Sequence, residues 1–262
     1  MKLITINDTK NPYLKIYHQL RDNAFTHDNS FIADSPKVVN LLLEQDIEIK
    51  SILATQSYYD QFRELILSKN IPMLFVADKK IMESIVGHKI HHNVMMHGIR
   101  PKQVRLEDLD DNIIMLDIIS STENIGSIAR SAAALGVNSY LTPSQAPHPY
   151  GRRAIRVSMG YISMLKTHIY DDIFSTIQRL KEMGYTIFGA EITSDSIALS
   201  KIQIPEKWVL LMGHEGKGLS QEVIEICDIL VEVEMVKGIK SFNVGVAASI
   251  LMYQFRNKQI IK

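Results

Sequence analysis

Two loops in this chain carry residue types from which a ligand site could be built. The first is Gly213-His214-Glu215-Gly216-Lys217-Gly218-Leu219-Ser220, directly after the strand-length apolar run Trp208–Met212. Three glycines in six residues let a backbone approach a ligand closely and present its amides. The second is Ser241-Phe242-Asn243, between the alternating stretch Ile229–Met235 and a small-residue helix that begins at Val244. Open α/β sheets bind ligands in the crevice at the carboxyl ends of their strands, where both loops would lie. Glycine spacing alone fits equally well a tight strand-to-helix connection with no ligand. The first loop is not a phosphate loop: Leu211 stands five residues before the Gly216-Lys217 pair, where a glycine is required, and Gly218 replaces the Ser or Thr. No Gly-x-Gly-x-x-Gly occurs anywhere, which argues against a Rossmann dinucleotide site.

Three further groups of residues could do chemistry. Asn124 and Arg130 fall in the segment Asn124–Gly136, where Ile125, Ile128, Ala129, Ala132 and Leu135 form one apolar stripe and Gly136 is a helix stop. Arg130 lies off that stripe; alone, it reads as an arginine facing water. Arg152, Arg153 and Arg156 put three arginines within five residues. They supply a local positive patch in a chain whose Lys plus Arg and Asp plus Glu both total 29. A solvated charged face is the alternative for any one of them. His88, His91, His92 and His97 have no Cys or carboxylate at a recognisable ligand spacing, so they are expected as exposed polar residues and not as a metal site.

The motifs Leu211–Gly218, Val233-Glu234-Met235 and Ser241-Phe242-Asn243-Val244 closely resemble the second and third motifs of the SpoU/TrmH-type RNA 2′-O-ribose methyltransferases of the SPOUT superfamily. Twenty positions separate Gly213 from Val233 and nine separate Val233 from Phe242, spacings that also fit. Asn124 to Arg130, six positions apart, resembles the family's first motif. The arginine segment before Ser158-Met159-Gly160 is similar to the family's basic helix and Ser-x-Gly turn.

The resemblance implies an α/β fold: a C-terminal SPOUT-type parallel sheet with helices on both faces and a trefoil knot, plus a smaller, ribosomal-protein-like N-terminal α/β domain that binds substrate. Connection rules by themselves predict against a knot. It implies S-adenosylmethionine as cofactor, held by backbone groups around Gly213, Val233 and Phe242; we add Met235, and Glu191 at a strand end. It implies RNA (rRNA or tRNA) as partner, a homodimer, and no metal. Transfer of a methyl from a sulfonium to a hydroxyl is an in-line displacement that needs alignment and help in losing a proton. Arg130 stays protonated, so a fixed charge beside the developing alkoxide suits it better than the role of base. Glu215 could orient Arg130 or accept the proton, and Asn124, Ser241 and Asn243 would position groups by hydrogen bonds. A non-catalytic RNA-binding protein that kept the fold is the alternative.

The surrounding chain has to position these residues. With 262 residues, one large or two modest domains are expected. A hydrophobic content of 46% and a charged content of 22% read as an ordinary soluble globular protein. One cysteine, Cys227, excludes an internal disulfide framework and fits a reducing cytosol, hence a cytoplasmic protein. No signal-peptide pattern opens the chain, and no uncharged apolar run has membrane-spanning length. Alternating strand-like and helix-like stretches before residue 100 predict a small mixed or parallel sheet. The charged stretch from Pro101 to Asp111 reads as a linker, giving domains 1–105 (RNA substrate binding) and 106–262 (methyl transfer). The aliphatic run Ile113–Ile119 predicts a strand covered on both faces. The small residues Gly245, Ala247, Ala248 and Ser249 offer a face for close packing against a second subunit.

Overall fold

The computed structural model describes residues 1–18, 28–87 and 89–260, with side chains to residue 258. Two compact units emerge. The first joins Met1–Lys102 with Tyr150–Ser163; the second joins Gln103–Pro149 with Met164–Lys262. The chain therefore passes between units three times, and the segment 150–163 packs with the N-terminal unit although it falls in the C-terminal half of the sequence.

The first unit is a five-stranded mixed sheet in the order β1-β4-β3-β5-β2. Its strands are β1 (Lys2–Ile6), β2 (Ser30–Asp34), β3 (Ile49–Ala54), β4 (Met73–Ala77) and β5 (Val94–Ile99). Strands β1, β4 and β3 run parallel, and β5 pairs antiparallel with both β3 and β2. Between them lie α1 (Lys15–His18), α2 (Pro36–Glu44), α3 (Gln56–Gln61), α4 (Arg63–Leu67) and α5 (Lys79–Val86). The helix expected over Tyr13–Arg21 is seen as a 3-10 turn followed by α1; its remainder lies outside the described residues. The single helix expected over Tyr58–Lys69 is broken at Phe62, whose φ of −115° and ψ of 21° leave the helical region. Strand β5 carries little strand signal of its own, because its Met-Met-His-Gly core lacks the β-branched residues that mark strands. Leu14, Tyr17, Ile32, Leu53, Phe75, Met82 and Met95 form the core of one face.

The second unit is a seven-stranded sheet, all parallel, in the order β10-β12-β9-β11-β6-β7-β8. Its strands are β6 (Asn112–Leu116), β7 (Ser139–Pro143), β8 (Lys166–Tyr170), β9 (Thr186–Ala190), β10 (Ile197–Ala198), β11 (Trp208–Met212) and β12 (Ile229–Glu232). Its helices are α6 (Thr122–Leu135), α8 (Ile173–Glu182), α9 (Gln221–Ile226) and α10 (Val244–Ile260); α7 (Arg152–Val157) lies in the first unit. All five residues of β6 and of β11 are buried, as a parallel strand covered on both faces must be. Trp208 of β11 and Phe188 of β9 each meet Phe255 of α10 edge-on, at 5.1 and 5.0 Å between centroids. Lys258 donates to the carbonyls of Leu199, Ser200 and Ile202, fixing the far end of α10.

The small-residue face of α10 is not left for another subunit. A Cβ on Gly245 would stand 2.5 Å from Ser127 Oγ of α6, so the two helices approach closely here. The hydroxyls of Ser249 and Ser131 are 2.8 Å apart across the same contact, and Ala248 is fully buried. This overturns the expectation of a partner-facing small-residue surface, because α6 of the same chain occupies it. Among the described residues no helix is long and apolar enough to cross a membrane.

Candidate active site

At the carboxyl ends of the adjacent strands β12, β9 and β11 lies a cavity of about 430 Å³. All five residues expected to hold a cofactor line it: Glu191, Gly213, Val233, Met235 and Phe242. Ser241 and Glu215 line it too. The strand expected to reach Met235 ends at Glu232, so Val233 and Met235 lie on the loop that rims the cavity and not in the sheet. Val244, Ala247 and Leu251 of α10 complete the apolar wall and were not foreseen, although their positions (i, i+3, i+7) place them on one helical face.

The glycine loop is shaped from within. His214 and Gly218 exchange backbone hydrogen bonds of 3.1 and 2.9 Å, closing a one-bridge hairpin. His214 Nδ1 accepts from the Gly216 N–H at 3.0 Å. A Cβ on Gly213 would fall 2.5–2.8 Å from the Gly218 carbonyl and the Leu219 nitrogen, all backbone atoms, so no other residue fits there. Glu191 Oε2 accepts from the Leu219 N–H at 2.7 Å, and its Oε1 from the Ile192 N–H at 3.1 Å. The Glu191 carboxylate therefore ties the end of β9 to the end of the glycine loop.

Three of the five residues expected to be catalytic form one hydrogen-bonded chain. Glu215 Oε1 accepts from the Ser121 N–H and from Asn124 Nδ2, both at 3.0 Å. Its Oε2 accepts from the N–H and the hydroxyl of Ser120, at 3.2 and 3.3 Å. Asn124 Oδ1 accepts from Asn243 Nδ2 at 3.1 Å. Asn243 Oδ1 in turn accepts from the N–H groups of Gly245 and Val246, which makes Asn243 the N-cap of α10. One chain of side chains thus joins the glycine loop, the start of α6 and the start of α10. Partial burial pushes the Glu215 carboxyl up, but bonds from Asn124, its own N–H, Ser121 and Ser120 outweigh that and hold it down at about 2. A carboxylate so occupied and so acidic is a poor proton acceptor, and it does not pair with Arg130. Glu215 anchors the N-terminus of α6, where negative charge is favoured.

Arg130 is exposed and makes no hydrogen bond or ion pair among the described residues. It stands six residues beyond Asn124 on α6, roughly 9 Å along the axis at 1.5 Å per residue. Ser241 is exposed as well. In the first unit, Arg153 and Arg156 of α7 are exposed, whereas Arg152 is turned inward and paired with Asp34. The histidines divide. His91 is exposed, His92 and His97 are half-buried beside Asp34 and Ser30, and His88 lies outside the described residues. The exposed placement expected for His92 and His97 is therefore corrected: His97 on β5 and His92 just before it are both half-buried. No group of His, Cys, Asp and Glu suited to a metal occurs among the described residues.

A parallel open sheet with a ligand-sized cavity at three adjacent strand ends defines an α/β protein with the geometry of a small-molecule site. The profile of the SpoU rRNA methylase family matches residues 111–253, more than half of the 262-residue chain. The protein belongs to that family. It is 27% identical over 202 residues to the 23S rRNA (guanosine-2'-O-)-methyltransferase RlmB of Neisseria meningitidis serogroup B, a match covering 74% of this chain and 80% of that one. It is 31% identical over 160 residues to a Staphylococcus saprophyticus protein provisionally named a TrmH-family tRNA/rRNA methyltransferase, spanning 61% of this chain and 64% of that one. The SpoU methyltransferase AviRb of Streptomyces viridochromogenes, solved with the cofactor AdoMet, shares the fold with a TM-score of 0.84 at 20% identity, over 96% of this chain and 100% of that one.

Proposed function

We propose that this protein transfers a methyl group from S-adenosylmethionine to a ribose 2′-hydroxyl of structured RNA, rRNA or tRNA, and does so as a homodimer. One observation carries the reading. The Gly213 loop, Val233 with Met235, and Ser241 with Phe242 come from separate parts of the chain and frame a single cavity. The Glu215–Asn124–Asn243 hydrogen bonds hang α6, with Arg130, from the same frame.

The lining suits S-adenosylmethionine. Phe242, Met235 and Leu251 offer apolar surface for a purine, and the loops around Gly213 and Val233 offer backbone polar groups for its edge and ribose. When bound, the cofactor supplies the methyl group on its sulfonium. Arg130, which is exposed, then gives a permanent positive charge that stabilises the alkoxide as the hydroxyl proton passes to solvent water, and grips a neighbouring phosphate through its planar fork. Ser241 hydrogen-bonds the bound molecules at the cavity mouth. Glu215, Asn124 and Asn243 hold these groups in register, and Glu191 holds the glycine loop. Arg153 and Arg156 contact RNA phosphates. The exposed apolar side chains Val236, Ile239, Val246 and Tyr253 are the surface a second copy would cover. The trefoil knot implied by the family resemblance belongs to the same proposal.

The test uses the full chain, because Tyr150–Ser163 packs with the N-terminal unit and an excised 106–262 fragment would leave it without its partners. Calorimetry should detect S-adenosylmethionine binding, and single-turnover assays should show labelled methyl on RNA ribose. Cofactor binding with no transfer to any rRNA or tRNA would favour a non-catalytic RNA-binding protein. No cofactor binding would end the methyltransferase reading.

A further inference from the structure

In the first unit, the side chain of Asp34 at the end of β2 is 1% exposed. Its Oδ2 receives Arg152 Nη2 at 2.6 Å and Arg152 Nε at 2.7 Å, with His92 Nε2 at 3.8 Å. Its other oxygen, Oδ1, has no partner among the described residues. A buried carboxylate with an empty lone pair is a costly choice for a fold that merely needs stability; apolar residues of like volume often do as well or better. The following residue, Ser35, takes a φ of 78°, a conformation that side-chain-bearing residues rarely adopt. Strain and a half-satisfied charge are thus concentrated at one point, and that point is where α7 docks.

The way α7 docks explains the expense. Arg152 is the first residue of α7, and Ala154 and Ile155 are buried in the unit. Tyr150, just before the helix, is buried and meets Phe31 of β2 edge-on at 5.5 Å. Gly160, just after it, packs against Val38, Leu41 and Leu42 of α2. Arg153 and Arg156, three apart and therefore neighbours on a helix surface, remain exposed. Apolar contacts alone fix how deep a six-residue helix sits; a charged fork gripping one oxygen also fixes its rotation and its position along its axis.

We propose that Asp34 is a positioning residue for RNA: by locking Arg152 it sets the face of α7 from which Arg153 and Arg156 engage the phosphates of the substrate. This rests on the reading of the protein as an RNA methyltransferase, and it moves part of the RNA grip from the catalytic unit to the N-terminal one. Arg152 itself contacts no RNA; it is consumed by Asp34.

Four variants of the full chain test this: Asp34→Asn, Asp34→Glu, Arg153→Ala with Arg156→Ala, and Asp34→Leu with Arg152→Met. RNA binding is measured against salt concentration, with single-turnover kinetics and cofactor affinity alongside, all well below each variant's melting temperature. The double arginine variant should make the salt dependence shallower by about 2, one per lost phosphate contact. Asp34→Asn should lose most of the same slope and raise KM for RNA, with kcat and cofactor affinity unchanged. Asp34→Glu should restore part of it. The apolar pair keeps the helix docked without an ion pair, so it should bind RNA better than Asp34→Asn does. An unchanged slope in Asp34→Asn, with a lowered melting temperature, would overturn the proposal by making the pair purely structural. An unchanged slope in the double arginine variant would overturn it by removing α7 from the RNA surface. Failure of the underlying methyltransferase reading would look different, as absent cofactor binding by the wild-type protein.

Discussion

Asp34 and Glu215 do comparable work in surroundings that could hardly differ more. Each is a carboxylate that fastens a segment distant in sequence to its own loop or strand. Asp34 is buried and does it with one arginine; Glu215 is largely exposed and does it with a fan of N–H donors and a serine hydroxyl at the start of α6. A buried pair is unforgiving, since removing one partner strands a charge in a medium that cannot solvate it. A surface carboxylate bonded to neutral donors can lose a bond to water at little cost. The arrangement puts rigidity in the unit proposed to grip RNA, and tolerance beside the cavity proposed to admit and release a cofactor.

The sharpest way to break this contrast is to remove one partner of the buried pair. Arg152→Met should cost about 3–5 kcal/mol of stability, as breaking a buried pair does, and a thermal or denaturant melt of the full chain would read it. A cost as small as that of a surface change would mean that water reaches Asp34 and that the two carboxylates are alike.

Next in size is Arg130→Ala. If the exposed guanidinium supports the alkoxide, single-turnover methyl transfer should fall by on the order of a hundredfold or more, while stability stays within about 0.5 kcal/mol because the residue is exposed. Arg130→Lys should recover part of the rate, since it keeps the charge but not the fork. Transfer at the wild-type rate by Arg130→Ala would remove Arg130 from the chemistry.

Gly213→Ala sharpens the comparison from the cavity side. Its Cβ would meet backbone atoms at 2.5–2.8 Å, so the loop must open. The expected outcome is weakened S-adenosylmethionine binding by calorimetry, with RNA affinity intact. Loss of RNA affinity and retention of cofactor affinity would mean that the loop serves RNA instead.

The smallest effect expected is the pH response of Glu215. Its carboxyl titrates at about 2 in the folded chain against an ordinary 4.5, so the contribution is present above about 4.5 and fades as pH falls toward 2. Melting temperatures of wild type and Glu215→Gln should therefore differ by a constant, modest amount at neutral pH and converge in acid. A difference that grew in acid would contradict the hydrogen-bond fan as the cause.

The sequence by itself determined a good deal of this protein. The second unit's strands β6, β9 and β11 and its helices α6 and α8 follow from apolar runs and stripes of the right period, because a parallel strand must be buried on both faces and a surface helix on one. The cavity loops were legible for a local reason: a Cβ on Gly213 would meet the backbone of Gly218 and Leu219, so its identity is dictated within six residues of chain, and Phe242 and Met235 lie on loops that the motif spacing already marked. Tertiary structure decided the rest. Strand β8 has an alternating polar pattern with no strong signal, and β5 is a strand only because β2 and β3 pair with it on both sides. Arg152 looks like its neighbours Arg153 and Arg156 in one dimension; a carboxylate 118 residues away separates their roles. Glu215, Asn124 and Asn243 read as candidates for chemistry, yet they are bound to one another across 91 and 119 residues. Period and composition report what a residue does for its own segment. What two distant side chains do for each other depends on where the sheet brings them, and no local pattern records that.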